Sequence, residues 1–106
     1  MDVKYLNLEK TLIFKISEEI DHHTTEKMRR RADYEIERHI PRKVIFDFNN
    51  VSFMDSAGIG MLLGRYKNTV MLGGKVEIVN VNKNIKKILE MSGILKIIPI
   101  REENIA

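Results

Sequence analysis

Cysteine is absent from this 106-residue chain. That excludes disulfides and thiolate metal sites and makes a reducing cytoplasm the simplest compartment. Also missing is any apolar run near the roughly 20 residues of a membrane span, so no membrane partner is expected. The opening MDVKYLNLEK has no apolar h-region, so it does not read as a signal peptide. Charge of one sign is not in large excess: 18 basic residues against 15 acidic ones give a net charge of +3. That balance does not by itself point to nucleic acid, and no direct nucleic-acid contact is expected.

Two catalytic signatures are missing as well. Ser56 is preceded by Met54-Asp55 rather than by the Gly-x-Ser-x-Gly elbow of a serine hydrolase, and no base is identifiable for it. Gly73-Gly74-Lys75 lacks the spacing of a phosphate loop. Neither of these two chemistries is expected; the wider question of enzymatic activity is left open by the residues themselves.

What is present is the composition of a globular domain, 43% hydrophobic and 31% charged. A chain of this length fits one domain, residues 1–106, that buries about 65% of its unfolded surface. Val3 to Leu8 and Thr11 to Ile16 read as strands around an Asn7-Leu8-Glu9-Lys10 turn, which predicts an N-terminal hairpin. Met28, Ala32, Ile36 and Ile40 form the apolar stripe of a helix with Thr24 or Thr25 as N-cap and Pro41 as its stop. Val44 to Phe48 suits a central strand covered on both faces.

A second helix follows, with Ile59, Leu62, Leu63, Tyr66 and Val70 on its apolar face, and Gly73-Gly74 stops it. Val76 to Val79 is the next strand. Asn82 or Asn84 caps a third helix carrying Ile85, Ile88, Leu89 and Ser92. Gly93 fits a left-handed C′ position with Ile94 as the accompanying hydrophobic contact, and Ile97-Ile98 is a last short strand. The order ββαβαβα with a final strand predicts an α/β fold with a mostly parallel central sheet and about three helices. In such sheets, sites gather beyond the strands' C-terminal ends. Asp47 to Ser56 and Glu18 to Thr24 are the two loops so placed.

Asp55 or Ser56 can cap the second helix. Two readings of Ser56 stand together: a cap only, or a hydroxyl open to modification. A helix start carries free amides and partial positive charge, and a phosphate there would alter docking without altering the fold. Ala57 and Gly58 leave the hydroxyl accessible. Gly60 and Gly64 share a helix face. They allow close helix packing or leave a shallow surface for a partner.

Met61 falls off the apolar stripe, either as an exposed adaptable contact or as partly buried core. Asp21-His22-His23 lacks the spacing of a metal site and reads as a polar loop or as a second contact segment. Arg29-Arg30-Arg31, with Glu26 before Arg30 and Glu35 after Arg31, fits a solvated helix face.

Asp21-His22-His23-Thr24, Ser52 to Gly60, Leu63-Gly64-Arg65-Tyr66-Lys67 and Met91-Ser92-Gly93 together resemble the anti-sigma factor antagonists of the bacterial sporulation type, single STAS domains. The resemblance runs from about Val3 to Ile100. It implies that the unphosphorylated protein binds an anti-sigma factor that is also a serine kinase, and so releases a sigma factor. It implies phosphorylation of Ser56 by that kinase, reversal by a serine phosphatase, and a monomer when free.

The resemblance also implies a partner surface at Asp21, His22, His23, Thr24, Met54, Asp55, Ser56, Ala57, Gly58, Gly60, Met61, Gly64 and Arg65, with no cofactor. Ala57 stands where some relatives have a second serine, and Glu18 where many have glycine. Relatives usually continue into a C-terminal helix for which Arg101 to Ala106 leaves little length, so a short or absent one is expected. The alternatives are a module of this fold binding a nucleotide or small ligand at the same loops, or an antagonist in a stress-response network.

Overall fold

The computed structural model describes residues 1–101. In chain order these form β1 (Asp2–Leu6), β2 (Thr11–Lys15), α1 (Thr25–His39), β3 (Lys43–Asp47), α2 (Ser56–Met71), β4 (Lys75–Val79), α3 (Lys83–Ser92) and a 3-10 turn, Ile94–Lys96. The sheet order is β1-β2-β3-β4. β1 and β2 are the antiparallel hairpin. β2 pairs in parallel with β3, from Thr11–Lys43 to Lys15–Asp47, and β3 in parallel with β4, from Lys43–Lys75 to Asp47–Val79. The expected α/β sheet is therefore present, mixed but mostly parallel.

Strand alternation divides the sheet into two unlike faces. Leu12, Phe14, Val44, Phe46, Val76 and Ile78 point to one face and join Met28, Ala32 and Ile36 of α1, Met61 and Leu62 of α2, and Ile85 and Leu89 of α3 in a single core. The other face carries Thr11, Ile13, Ile45, Lys43 and Lys75 and lines an open groove of about 520 Å³. β3 was expected to be covered on both faces. Ile45 is only 7% exposed, yet no described helix lies in its lining. The cross-strand partner of Ile45, Glu77, pairs with Lys43 and Arg101 on that face.

Three local expectations need correction. The buried stripe of α2 is Gly58, Met61, Leu62, Arg65 and Thr69, whereas Val70 is 45% exposed. Ile59, Leu63 and Tyr66 only flank the core. Small Gly58 at the contact lets the helix seat itself about one residue, or 100°, away from the stripe of largest side chains. The last strand is not at Ile97-Ile98: a 3-10 turn stands before it, and only Ile100 bridges in parallel to Ile78. Finally, Glu35 pairs with Arg38 and His39 rather than with Arg31, while the Glu26–Arg30 pair forms at 3.0 Å.

The helix stops follow local chemistry. Ile40, forced out of the helical region by Pro41, turns left-handed at φ 46°. Gly93 takes the left-handed position after α3 at φ 81°. The expected short or missing C-terminal helix concerns residues 102–106, outside the described residues.

Candidate functional site

The site is built where β2 and β3 end. Ile16 N–H donates to Asp47 O, and beyond that the two chains run on side by side. Ile20 N–H donates to Phe53 O at 3.1 Å, and Asp55 N–H donates to Ile20 O at 2.9 Å, around an isolated parallel bridge of Ile20 with Met54. Both bridge side chains are buried in the core. This short ladder brings the Asp21–Thr24 turn beside the start of α2.

The turn is internally bonded. Asp21 Oδ1 accepts from His23 N–H at 2.8 Å and from Thr24 N–H at 3.0 Å. Thr24 Oγ1 accepts from Asp21 N–H at 3.0 Å and donates to Glu19 O at 2.8 Å. The Thr24 amide, followed by His23, holds the Asp21 carboxyl below its ordinary pKa, and partial burial works against them. Thr24 occupies the N-cap position of α1 but makes no side-chain cap bond to that helix. Its hydroxyl is committed to the turn instead. His22 and His23 are exposed with ring centroids 4.0 Å apart.

At the start of α2, Asp55 is extended and its Oδ1 accepts from Ala57 N–H at 2.8 Å. Asp55 is therefore the cap, and Ser56 is the first helical residue. Ser56 is exposed, and its hydroxyl has no hydrogen-bond partner among the described residues. The choice the sequence left open falls away from Ser56 as a cap.

The three glycines of α2 are not equivalent. A Cβ on Gly58 would lie 2.4 Å from Met54 Cγ and 3.0 Å from Ile20 Cγ2. Only glycine lets α2 pack on the Ile20–Met54 bridge. Gly60 and Gly64 have nothing within 4 Å of such a Cβ. With Ser56 they lie at four-residue intervals along one face, which is open rather than a packing contact. Gly60→Ala and Gly64→Ala are accordingly expected to stabilise the isolated domain by about 1 kcal/mol each through helix propensity. Chemical denaturation reads this directly, and a loss of stability in either would mean that the face is already covered.

Four residues expected at the partner surface are buried: Gly58, packed on the Ile20–Met54 bridge, and three others. Met61 is 1% exposed, because it lies on the core side of α2 and not beside the glycine face. Met54 is equally buried, since its neighbours Phe53 and Asp55 point the opposite way along the bridge strand. Arg65, 8% exposed, turns inward with Nε 2.7 Å from Asp33 Oδ1.

The residue that sequence reasoning passed over is Phe53, 50% exposed and three residues before Ser56. Its signal was the alternation Phe53-Met54-Asp55, in which only one of the two apolar residues can enter the core. Among the described residues no cluster of His, Asp and Glu could hold a metal ion. Nor, among the described residues, is any helix long and apolar enough to cross a membrane.

The STAS domain family model matches residues 3–104. An anti-sigma F factor antagonist from Paenibacillus polymyxa is 38% identical over 94 residues, 89% of this chain and 80% of that protein. Among solved structures, the anti-sigma factor antagonist SpoIIAA in its unphosphorylated form superposes with a TM-score of 0.84 at 24% identity, covering 98% of this chain and 88% of that one. The Bacillus cell fate determinant SpoIIAA in the phosphorylated form gives 0.75 at 24% identity, covering 98% and 91%.

Proposed function

Because the chain belongs to the STAS domain family and, within it, to the anti-sigma F factor antagonists, we propose that its unphosphorylated form docks an anti-sigma factor and thereby releases a sigma factor in the cytoplasm. The docking surface is the Asp21–Thr24 turn, Phe53, Asp55, Ser56, Ala57 and the Gly60–Gly64 face of α2. Phosphorylation of Ser56 by that partner, acting as a serine kinase, ends the docking, and a serine phosphatase restores it. On this reading the protein is a substrate and a docking module rather than an enzyme.

The observation that carries the reading is the free, exposed Ser56 hydroxyl at the start of a helix whose cap is supplied by its neighbour. A phosphate there adds roughly −1.5 to −2 charges at neutral pH. The fold tolerates them because the helix start is the positive end of the dipole. The preceding residue, Asp55, already accepts from the Ala57 amide, so the phosphate gains no bond from that amide. It stands outward with its charge and hydration shell intact. A partner shaped to a bare hydroxyl must then strip that shell or lose contact. Each 1.4 kcal/mol of that cost is a tenfold loss of affinity.

The test is incubation with the anti-sigma F factor of the same organism and ATP, followed by mass mapping. One phosphate on Ser56 is expected, with none on Ser56→Ala, which still binds the partner. A phosphate mapped elsewhere, or stoichiometric phosphorylation of Ser56→Ala, would overturn the assignment.

A further inference from the structure

The triple-arginine run of α1 is not absorbed by that docking surface. Two of its members, Arg29 and Arg30, join Glu26, Asp33 and Arg65 around a cleft of about 380 Å³ between α1 and α2. Its charges do not balance. Glu26 pairs with Arg30 at 3.0 Å and Asp33 pairs with Arg65 at 2.7 Å. Arg29 has no acidic partner among the described residues. Asp33 Oδ1 is shared, since it also accepts from Asn68 Nδ2 at 3.2 Å.

Arg65 is more than nine-tenths buried; its Nε lies against Asp33 Oδ1, and its Nη1 makes no hydrogen bond among the described residues. Desolvation lowers its pKa from the ordinary value, Asp33 raises it, and the like charge of Arg29 lowers it further. A buried guanidinium with an unsatisfied donor is costly, and a charge-assisted bond to an oxyanion is the strongest way to satisfy it.

We propose that this cleft binds an oxyanion, a carboxylate or a phosphate group, with Arg29 and Arg30 at its rim and Arg65 at its floor. The planar guanidinium fork suits either anion, because both offer two oxygens at matching separation. Arg65 is thereby both the ion-pair partner that ties α2 to α1 and the inner wall of a site. The inference stands apart from the phosphorylation of Ser56, since it concerns a recognition pocket on the α1 side of α2.

Arginine Nε–Hε signals are followed by NMR while the full chain is titrated with inorganic phosphate in one arm and acetate in the other. Saturable shifts at Arg65 and Arg29 are expected. Tighter binding of phosphate identifies a phosphoryl ligand, and equal or tighter binding of acetate identifies a protein-borne carboxylate.

Arg65→Gln risks the helix pairing, so the variant is Arg29→Gln/Arg30→Gln at the exposed rim, expected to weaken binding about tenfold. Lys86→Gln on α3 is expected to leave it unchanged. Shifts that grow linearly without saturation in both arms, or an unaltered affinity in the double variant, would overturn the site.

Discussion

Met61→Glu is expected to unfold the domain. Met61 sits in the core cluster that also holds Met54, Leu62 and the inward side chains of the sheet. The substitution removes a buried thioether and puts a carboxyl in its place. Either the carboxyl ionises among apolar groups or its pKa rises until it stays neutral, and both routes cost free energy. An uncompensated buried charge costs about 3–5 kcal/mol, a large part of the roughly 5–15 kcal/mol that holds a domain together. At about 4–8 °C per kcal/mol for a chain of this size, the melting temperature should fall by about 15 °C or more. Met61→Leu conserves volume and should cost less than about 1.5 kcal/mol. A melting curve of Met61→Glu within a few degrees of the parent would return Met61 to the surface, and with it the stripe of α2 read from the sequence.

Gly58→Val is expected to lose both stability and docking. A Cβ at this position already falls inside van der Waals distance of Met54 Cγ and Sδ, and valine adds two methyls that its helical rotamer cannot swing clear. Overpacking of this kind costs about 1–3 kcal/mol. The strain falls on the Ile20–Met54 bridge, the only described ladder that joins the Asp21 turn to the start of α2. Amide exchange at Ile20 and Asp55 should therefore accelerate more than exchange within β3. Partner affinity should fall even at temperatures where the domain stays folded. Uniform acceleration across the sheet would mean that Gly58 supports global packing and has no special hold on the site.

The contrast among the glycines shows what was legible in the sequence. Four-residue spacing put Gly60 and Gly64 on one face, and they are on one face. Spacing carries no information on what stands opposite, so it could not separate an open groove from a tight contact. Gly58 and Met61 depended on the rotation of α2 about its axis. Two stripes of apolar side chains were available, and the smaller one won because a glycine contact admits the bridge strand beneath the helix.

The strands were easier. Thr11 to Ile16, Val44 to Phe48 and Val76 to Val79 are short runs rich in β-branched and aromatic residues, and their alternation with helices implied right-handed crossovers and a mostly parallel sheet. Asp55 and Ser56 could not be told apart as caps, since both are good ones. Their order in the ladder with Ile20, invisible without tertiary structure, left the hydroxyl free. Arg65 was placed at the partner surface by the family resemblance alone. Its pairing with Asp33 depends on how closely α1 and α2 approach, which no local pattern encodes.

The end of the described chain bears on how the protein stays dispersed. β4 is an outer strand, and such strands offer unpaired amides and carbonyls to any passing chain. Here Ile78 N–H donates to Pro99 O at 3.0 Å and Ile78 O accepts from Arg101 N–H at 2.8 Å. Proline costs nothing in that position because only its carbonyl is asked for. The opposite rim, β1, is five residues long and carries exposed Asp2 and Lys4, charges that discourage strand addition. Both borders of the sheet are thus closed to self-templating. On the docking proposed above, a glycine-lined helix face can stand open while both sheet borders discourage strand-to-strand pairing of copies.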